Sequence, residues 1–240
     1  MAFQLQDIDP ETDFQSLARC LLDAYQDPPQ RFLHILLPVF GPSQEAREAA
    51  IQEAGERLKL WHSLDPSSHW QKAVDVTGKI VGGAAWNIHR TNPFAEPHPM
   101  EATWFPNDSS RTFAEKALEN YGRPRFEAAQ RPHLYLFNVF VHPDFRRKGV
   151  GQKFLDWGMN RADELGLEFF LDATPQGKPL YDANGFIVVE ENVTAPTTDN
   201  PDEKWKETEE KVSPFTFWLM WRPVGGKYEE GKTIKPWENA

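Results

Sequence analysis

The sequence predicts an α/β (α+β) fold, with a mixed central sheet of about seven strands flanked by helices. Three observations carry this prediction. Two strand-like runs are joined by the turn Thr77-Gly78, a continuous apolar run stands at 134–141, and segments of helical spacing separate the strand-like runs. The composition suits a folded core, because hydrophobic residues make up 40% of the chain and aromatic residues 13%.

The first part of the chain alternates strand and helix patterns. Residues 3–8 alternate apolar and polar side chains, as a strand does, and residues 13–25 repeat apolar side chains at helical spacing. A second helix is predicted at 43–60, and the serine at its start is a candidate N-cap. Residues 70–76 and 79–87 are predicted to pair as a hairpin.

The second part of the chain is organised around a buried strand. Residues 134–141 are almost entirely apolar and lie between Pro132 and Pro143, a pattern typical of a strand covered on both faces. The elements predicted after it are a helix at 150–165, strands at 168–173, 186–190 and 215–221, and a helical turn at 180–184.

Two irregular segments interrupt what we predict to be a single domain over 1–240. Residues 91–132 are rich in proline and lack strand periodicity, with at most a short helix at 112–118, so we interpret them as an insertion. Residues 192–211 are polar and are interpreted as a surface excursion. The polar tail from residue 225 is expected to be loosely held.

Net charge and cysteine content exclude several classes of protein. The formal net charge of −10 argues against a nucleic-acid partner, and a polyphosphate would need a local cluster of basic residues. The single cysteine, Cys20, excludes an internal disulfide framework and cysteine-based zinc sites, and its apolar neighbours predict a packed thiol. The histidines show no metal-ligand spacing, so we expect no metal.

The N-terminus and the hydropathy of the chain give no sign of targeting to a membrane. No basic region is followed by an apolar run, and no apolar segment approaches the roughly 18 residues of a membrane span. We therefore expect a cytoplasmic protein without a membrane partner, either a monomer or a homodimer.

One basic loop stands out as a candidate anion site. Residues 146–151 read RRKGVG and lie between a predicted strand and a predicted helix. A helix N-terminus leaves backbone N–H groups free and carries partial positive charge, and glycines let the backbone approach an anion closely. The spacing differs from the dinucleotide and NTP motifs, which argues against NAD and ATP. The alternative is a basic helix start with glycines needed only for packing.

Three segments together resemble a known family. Residues 139–151 read VFVHPDFRRKGVG and are similar to the acetyl-CoA signature of the GCN5-related N-acetyltransferases (the GNAT superfamily). Residues 180–186, LYDANGF, resemble the downstream segment of that superfamily, and 171–174, LDAT, resemble a fungal-type branch that acts on small molecules. The close resemblance covers about 135–190 in an order of elements that matches the family.

The resemblance implies an acyl-CoA N-acyltransferase fold with acetyl-CoA as the acyl donor. In that fold two neighbouring parallel strands, here 134–141 and 168–173, splay apart, and the pantetheine arm pairs with backbone of the first. A backbone N–H near Phe140 or Val141 would polarise the acetyl carbonyl. The residues implied to bind the cofactor are Val139, Phe140, Val141, Arg146, Arg147, Lys148, Gly149, Val150, Gly151, Thr174, Gly177 and Tyr181.

The resemblance also gives Tyr181 a catalytic role. A thiol has a pKa of roughly 8.5 and tyrosine one of about 10, so a phenol at the sulfur can reprotonate the leaving thiolate at small cost. The substrate amine attacks directly, so no protein nucleophile is required. Without the family match, Tyr181 would be read as an aromatic side chain packed at a helix end.

The sequence does not identify the general base. Asp172, Glu101 and His142 are candidates, and a relay of water molecules is the alternative to all three. Asp172 could instead hydrogen-bond a loop. Asn138 is a candidate catalytic residue, because a polar side chain in a buried run needs a partner, which could be the substrate or another core group.

The acceptor is predicted to be a small-molecule amine. Trp86, Trp104 and Phe105 would form an aromatic wall around it, and Glu101 would attract its charge, although packing explains the aromatic residues equally well. A protein or peptide amine is the second hypothesis, and a non-catalytic acyl-CoA-binding domain is the third.

Overall fold

The computed structural model describes residues 3–96 and 101–238. The seven strands and the helices that flank them form the predicted mixed α/β architecture. The chain divides into two compact units, Met1–Ile88 with Leu136–Arg161, and His89–Tyr135 with Ala162–Ala240. The single-domain assignment made from the sequence stays a prediction.

The first unit contributes the strands β1 to β4, which follow one another in the sheet in that order. Strand β1 pairs antiparallel with β2, and β2 pairs antiparallel with β3, so the predicted hairpin is confirmed. The bounds are β1 Phe3–Asp7, β2 Ser68–Asp75, β3 Ile80–His89 and β4 His133–Val141, the last belonging to this unit from Leu136 onward.

The helices of the first unit cover its core. Their bounds are α1 Phe14–Gln26, α2 Leu33–Leu36, α3 Gln44–Leu64 and α5 Val150–Leu165, the last belonging to this unit up to Arg161. The Ser43 hydroxyl accepts a hydrogen bond from the Ala46 N–H and caps α3, as predicted. Cys20 packs in the apolar cluster of α1 and α3, and its burial raises the pKa of the thiol to about 12. The predicted packed thiol is confirmed.

The second unit carries the strand order β5-β7-β6, with both pairs antiparallel. Its elements are α4 Ser109–Ala128, β5 Glu168–Ala173, α6 Lys178–Asp182, β6 Ile187–Thr194, α7 Glu203–Val212 and β7 Phe215–Arg222. Short 3-10 turns lie at Pro143–Phe145 in the first unit and at Val224–Gly226 and Pro236–Glu238 in the second.

The largest difference from the sequence analysis is helix α4. Its 20 residues fill much of the segment interpreted as an insertion, where only a short helix at 112–118 was expected. Asp108 caps its start by accepting from the Ser110 N–H, and Phe113 packs at 4.9 Å from the Trp205 ring of α7. Pro124 lies inside the helix, and it misled the prediction because proline is rare there.

The segment interpreted as a surface excursion and the tail are also more regular than expected. Strand β6 continues to Thr194, and α7 begins after the cap Asp202, whose carboxylate accepts from the Trp205 N–H. In the tail, the Trp237 ring lies 5.3 Å from the Trp221 ring. Among the described residues, no helix combines the length and hydropathy needed to cross a membrane.

Candidate active site

The basic loop lies where the sequence predicted it, between the end of β4 and the start of α5. After Val141 the chain makes a 3-10 turn at Pro143–Phe145, and α5 begins at Val150. Arg147 has φ 55° and Gly149 has φ 85°, so two of these three successive residues adopt the left-handed conformation. Glycine is favoured at position 149 because other residues adopt this left-handed conformation at a cost.

The backbone of this loop presents a row of free donors. Within the described chain, no backbone N–H group from Arg147 to Gly151 donates a hydrogen bond to another residue. Arg147, Lys148 and Gly149 are exposed, whereas Val150 is buried and anchors the start of α5. Free N–H groups at the positive end of a helix favour a bound anion. The geometry therefore suits a phosphate group.

The side chains of the loop divide into two kinds. The Arg146 guanidinium donates to the carbonyl oxygens of Ala24 and Asp27, and its Nε donates to the Val141 carbonyl at 3.2 Å. The Lys148 ammonium donates to the Asp144 carbonyl. Arg146 therefore joins the end of α1 to the end of β4. Arg147, in the same loop, is exposed.

The Asn138 side chain on β4 has one hydrogen-bond partner in the core, Tyr25. The Tyr25 hydroxyl, at the end of α1, donates to Asn138 Oδ1 at 2.6 Å and lies 3.3 Å from the Val139 carbonyl oxygen. Asn138 Nδ2 is buried and has no hydrogen-bond partner among the described residues. A buried amide N–H without an acceptor is costly, so one of its donors is free for a bound molecule.

Tyr181 on α6 is buried, and its hydroxyl makes no hydrogen bond with any described residue. Burial raises the pKa of the phenol. A Cβ atom at Gly177 would lie 3.1 Å from the Tyr181 ring and 3.3 Å from Thr174 Oγ1, so the glycine makes room for the ring. The structure thus brings together Thr174, Gly177 and Tyr181, the three residues of the second unit that the resemblance implied to bind the cofactor.

Asp172 on β5 lies in a buried polar cluster rather than in an open position. Its Oδ2 accepts from the Tyr135 hydroxyl at 2.7 Å and from Arg125 Nη1 at 3.2 Å. The Arg125 guanidinium carbon lies 4.1 Å from the centroid of the Tyr135 ring, and the Tyr121 hydroxyl is 3.4 Å from the Tyr135 hydroxyl. Burial raises the pKa of the carboxyl, and Arg125 opposes that rise.

The remaining candidates are placed as follows. The His142 Nδ1 accepts from the Asp144 N–H and caps the 3-10 turn, and Glu101 is exposed. Trp86 is fully buried, with its ring 5.2 Å from that of Trp157, an arrangement that favours its packing role. In the second unit, the rings of Trp104 and Phe105 lie 6.4 Å apart. Residues 97–100 of the segment interpreted as an insertion lie outside the described residues.

Sequence reasoning missed Tyr25, Arg125 and Tyr135. Each reaches its partner across a long separation in the chain, 113 residues for Tyr25 with Asn138 and 47 for Arg125 with Asp172. A local motif carries no signal for such pairs. The sequence offered one general signal. Asn138 and Asp172 are polar residues in apolar strands, and buried polar side chains require a hydrogen-bond partner.

The fold and the loop define an acyltransferase-like class, and comparison with known proteins gives the family. The model of the acetyltransferase (GNAT) family matches residues 30–186, more than half of the chain. The chain therefore belongs to the GNAT acetyltransferase family, and the resemblance of its motifs to that superfamily is confirmed. The fungal-type branch stays a prediction.

Two solved structures share the fold. One is the histone acetyltransferase HPA2 and related acetyltransferase from Corynebacterium glutamicum, with a TM-score of 0.55, 19% identity and coverage of 96% of this chain and 99% of that chain. The other carries the provisional description of a phosphinothricin N-acetyltransferase, with a TM-score of 0.52, 12% identity and coverage of 93% and 99%. At these identities the likeness concerns the fold.

Proposed function

We propose that this protein transfers an acetyl group from acetyl-CoA to a primary amine of a small molecule, by direct attack in a ternary complex. The observation that carries the proposal is the row of free N–H groups from Arg147 to Gly151 in a chain of the GNAT family. The C–N bond forms as the C–S bond breaks. The ammonium substrate becomes an amide and a net proton, and the cofactor leaves as its thiol.

The donor is held mainly by backbone groups in this proposal. The pyrophosphate accepts from the N–H groups of Arg147 to Gly151, with Arg147 adding charge. The pantetheine amides pair with the backbone of Val139 to Val141, and an N–H near Phe140 or Val141 stabilises the oxyanion. Arg146 serves indirectly, because its guanidinium already binds three carbonyl groups of the protein.

Tyr181 is the proposed general acid. Its free hydroxyl and its raised pKa keep it protonated at neutral pH, which an acid requires. A higher phenol pKa also makes proton donation harder. The same water-poor surroundings would also raise the pKa of the CoA thiol. The pKa values of the phenol and the thiol therefore remain close to each other.

The amine must lose a proton before it attacks. Asp172 is the proposed base, because burial raises the pKa of its carboxyl and so makes it a better proton acceptor. Arg125, Tyr135 and Tyr121 hydrogen-bond this carboxylate and oppose that rise. Glu101, His142 and a relay of water molecules are the alternatives. The placement of Asn138 Nδ2 supports a contact with a bound substrate or with the acetyl group.

The proposal is tested by measuring thiol release from acetyl-CoA over a panel of polyamines, amino acids, arylamines and peptides. We expect turnover with small amines, and Tyr181→Phe should lower kcat by about 100-fold while the affinity for CoA stays within about threefold. The matched control is Tyr228→Phe, at a half-buried residue of the tail whose hydroxyl donates to Glu230, and it should leave kcat unchanged.

Three results would separate the alternatives. Turnover confined to peptides would support the second hypothesis, a peptide amine as acceptor. Binding of CoA without turnover on any amine would support a non-catalytic role. An unchanged kcat in Tyr181→Phe would remove the acid assignment and leave the transferase assignment standing.

A further inference from the structure

The carboxylate of Asp172 lies where side chains from several elements of the second unit meet. It is only 5% exposed, and its Oδ2 accepts from the Tyr135 hydroxyl on β4 at 2.7 Å and from Arg125 Nη1 on α4 at 3.2 Å. Strand β7 contributes the buried, apolar Leu219, which lies opposite Asp172 in the sheet. An unpaired carboxylate would be costly in such a place, so these donors take over the role of water.

Arg125 brings a full positive charge to this cluster and is held in place there. Its side chain is only 13% exposed. Its guanidinium carbon lies 4.1 Å from the centroid of the Tyr135 ring, with the rings of Tyr121 and Phe126 at 5.9 and 5.5 Å. Because aromatic contacts hold the planar group in addition to the hydrogen bond, its charge stays beside Asp172.

This ion pair is more than the stability of the fold requires. Replacing a buried ion pair by apolar side chains of similar volume is often neutral or stabilising, because the loss of hydration offsets the attraction between the charges. Asp172 precedes Thr174 by two positions, and Thr174 Oγ1 accepts from the Gly177 N–H at 3.1 Å beside the Tyr181 ring. A buried ion pair next to the residues proposed for the reaction points to a role in that reaction.

Two opposing effects set the charge of Asp172. Burial raises the pKa of its carboxyl, and Arg125, Tyr135 and Tyr121 oppose that rise. A general base must be ionised at the working pH and still bind a proton more readily than a carboxylate in water does. Without the charge of Arg125, burial would act with less opposition. The carboxylate would then bind a proton at a higher pH and would no longer be available to the amine.

We propose that Arg125 and Tyr135 are positioning residues for the general base, such that Arg125 keeps Asp172 ionised and Tyr135 fixes the direction of its carboxylate. An N–H bond of the substrate ammonium breaks, and its proton passes to Asp172 and later to solvent. The electron pair left on nitrogen attacks the acetyl carbonyl. This inference rests on the proposed function, in which Asp172 is the base, and adds the residues that act through it.

The first test measures kcat/KM against pH with one amine that the protein accepts. In Arg125→Met the acid limb of the profile should move upward by about 1–2 pH units, because a neighbouring positive charge lowers the pKa of a carboxyl by about that amount. Arg123→Met on the same helix is the control, since Arg123 is exposed and pairs with Glu127 and Glu190. The free amine titrates identically in every variant. A lower kcat/KM with an unmoved limb would show a merely structural role and overturn the proposal.

The other titratable groups of the cluster stay neutral across the range of this test. Burial raises the pKa values of the Tyr121 and Tyr135 phenols. It also lowers the pKa of His133, on which the charge of Arg125 acts as well, to about 3. These three groups are therefore neutral between about pH 5 and pH 8. A limb that moves in Arg125→Met is thus assigned to Asp172.

Two milder variants keep the test decisive if Arg125→Met does not fold. Arg125→Lys retains the positive charge and should leave the acid limb within about 0.5 pH unit of its original position. Tyr135→Phe keeps the ring beside the guanidinium but removes a hydrogen-bond donor from Asp172, so it should raise the limb by about 1 pH unit. A limb that stays in place in Tyr135→Phe, or that moves by more than about 1 pH unit in Arg125→Lys, would contradict the proposal.

Infrared spectroscopy keeps this inference separate from the proposed function. A carboxylate and a protonated carboxyl absorb at different frequencies, and the difference spectrum against Asp172→Asn assigns the band to this residue. The pH at which half of Asp172 is protonated should lie about 1–2 units higher in Arg125→Met and should be unchanged in Arg123→Met. If no amine supports thiol release, acetyl transfer fails, and this titration still decides whether Arg125 sets the charge of Asp172. Equal midpoints in the unaltered protein and Arg125→Met would refute that role.

Discussion

At the scale of single residues, the pair Tyr25 and Asn138 shows how a buried polar group acquires a direction. The Tyr25 hydroxyl fixes Asn138 Oδ1 at 2.6 Å, so Nδ2 points away from that bond with no partner in the described chain. An oriented donor in a dry environment loses little when it meets a ligand, because it has no competing hydrogen bond to give up.

The pair is expected to act as a unit in catalysis. Asn138→Ala should lower kcat/KM by about tenfold, and Tyr25→Phe should lower it by a similar amount, because the amide loses its orientation. The double variant should be no worse than Asn138→Ala alone. Steady-state kinetics on the three variants form a double-mutant cycle; strictly additive losses would show that the two residues act separately.

At the scale of elements, Arg146 explains how the loop keeps its shape. The carbonyl groups of Ala24 and Asp27 belong to the last turn and the end of α1, where backbone acceptors have no partner in the helix. One guanidinium satisfies both of them and the carbonyl of Val141 on β4. Helix α1, strand β4 and the basic loop are thereby held at one point.

Arg146 and Arg147 should therefore respond differently to substitution. We expect Arg146→Ala to lower the free energy of unfolding by about 2–3 kcal/mol, since three carbonyl groups lose a charged donor. Arg147→Ala should raise KM for acetyl-CoA by about fivefold and leave stability within about 0.5 kcal/mol. Urea denaturation and steady-state kinetics check both. A direct phosphate role for the Arg146 side chain would instead raise KM without a loss of stability.

Helices and strands whose ends are marked by local sequence signals were predictable. Elements stabilised by contacts with residues distant in the chain were not. The helix predicted at 150–165 and the strand predicted at 168–173 have the bounds observed for α5 and β5, because glycines and periodic apolar residues mark their ends locally. Helix α4 was largely missed, because Pro124 and neighbouring prolines suggest a loop, while its packing against α7 has no local signature. The loop of the candidate site was predictable for the same reason as α5. The partners Tyr25 and Arg125 were not.

At the scale of the whole molecule, His133 couples folding to pH. Its ring is fully buried among Phe94, Phe170 and His89, and Nδ1 lies 2.7 Å from the Arg131 carbonyl oxygen. Burial lowers the pKa of the imidazole to about 3, a direction that the nearby His89 and Arg125 reinforce and the Arg131 carbonyl opposes. The folded protein therefore keeps His133 neutral in conditions where the unfolded chain binds a proton.

The sign of the pH dependence follows from that difference. The stabilising contribution of neutral His133 is fully present above the unfolded pKa of about 6.5 and is lost as the pH falls from there towards 3. Between pH 6.5 and 5, the free energy of unfolding should fall by up to about 1.4 kcal/mol per pH unit from this group. Denaturant titrations at several pH values should show a smaller slope for His133→Phe. The same change at the exposed His34 is the control, and an equal slope in His133→Phe would contradict the assignment.

The free donors of residues 147–151 belong to the main chain, and this has a consequence for sequence divergence. Side chains there can be exchanged without removing a single N–H group, except by proline or by a residue that resists the left-handed conformation at position 149. Selection for anion binding therefore constrains the backbone conformation of the loop more than the identities of its side chains. Related chains can drift far in identity and still keep the same recognition chemistry.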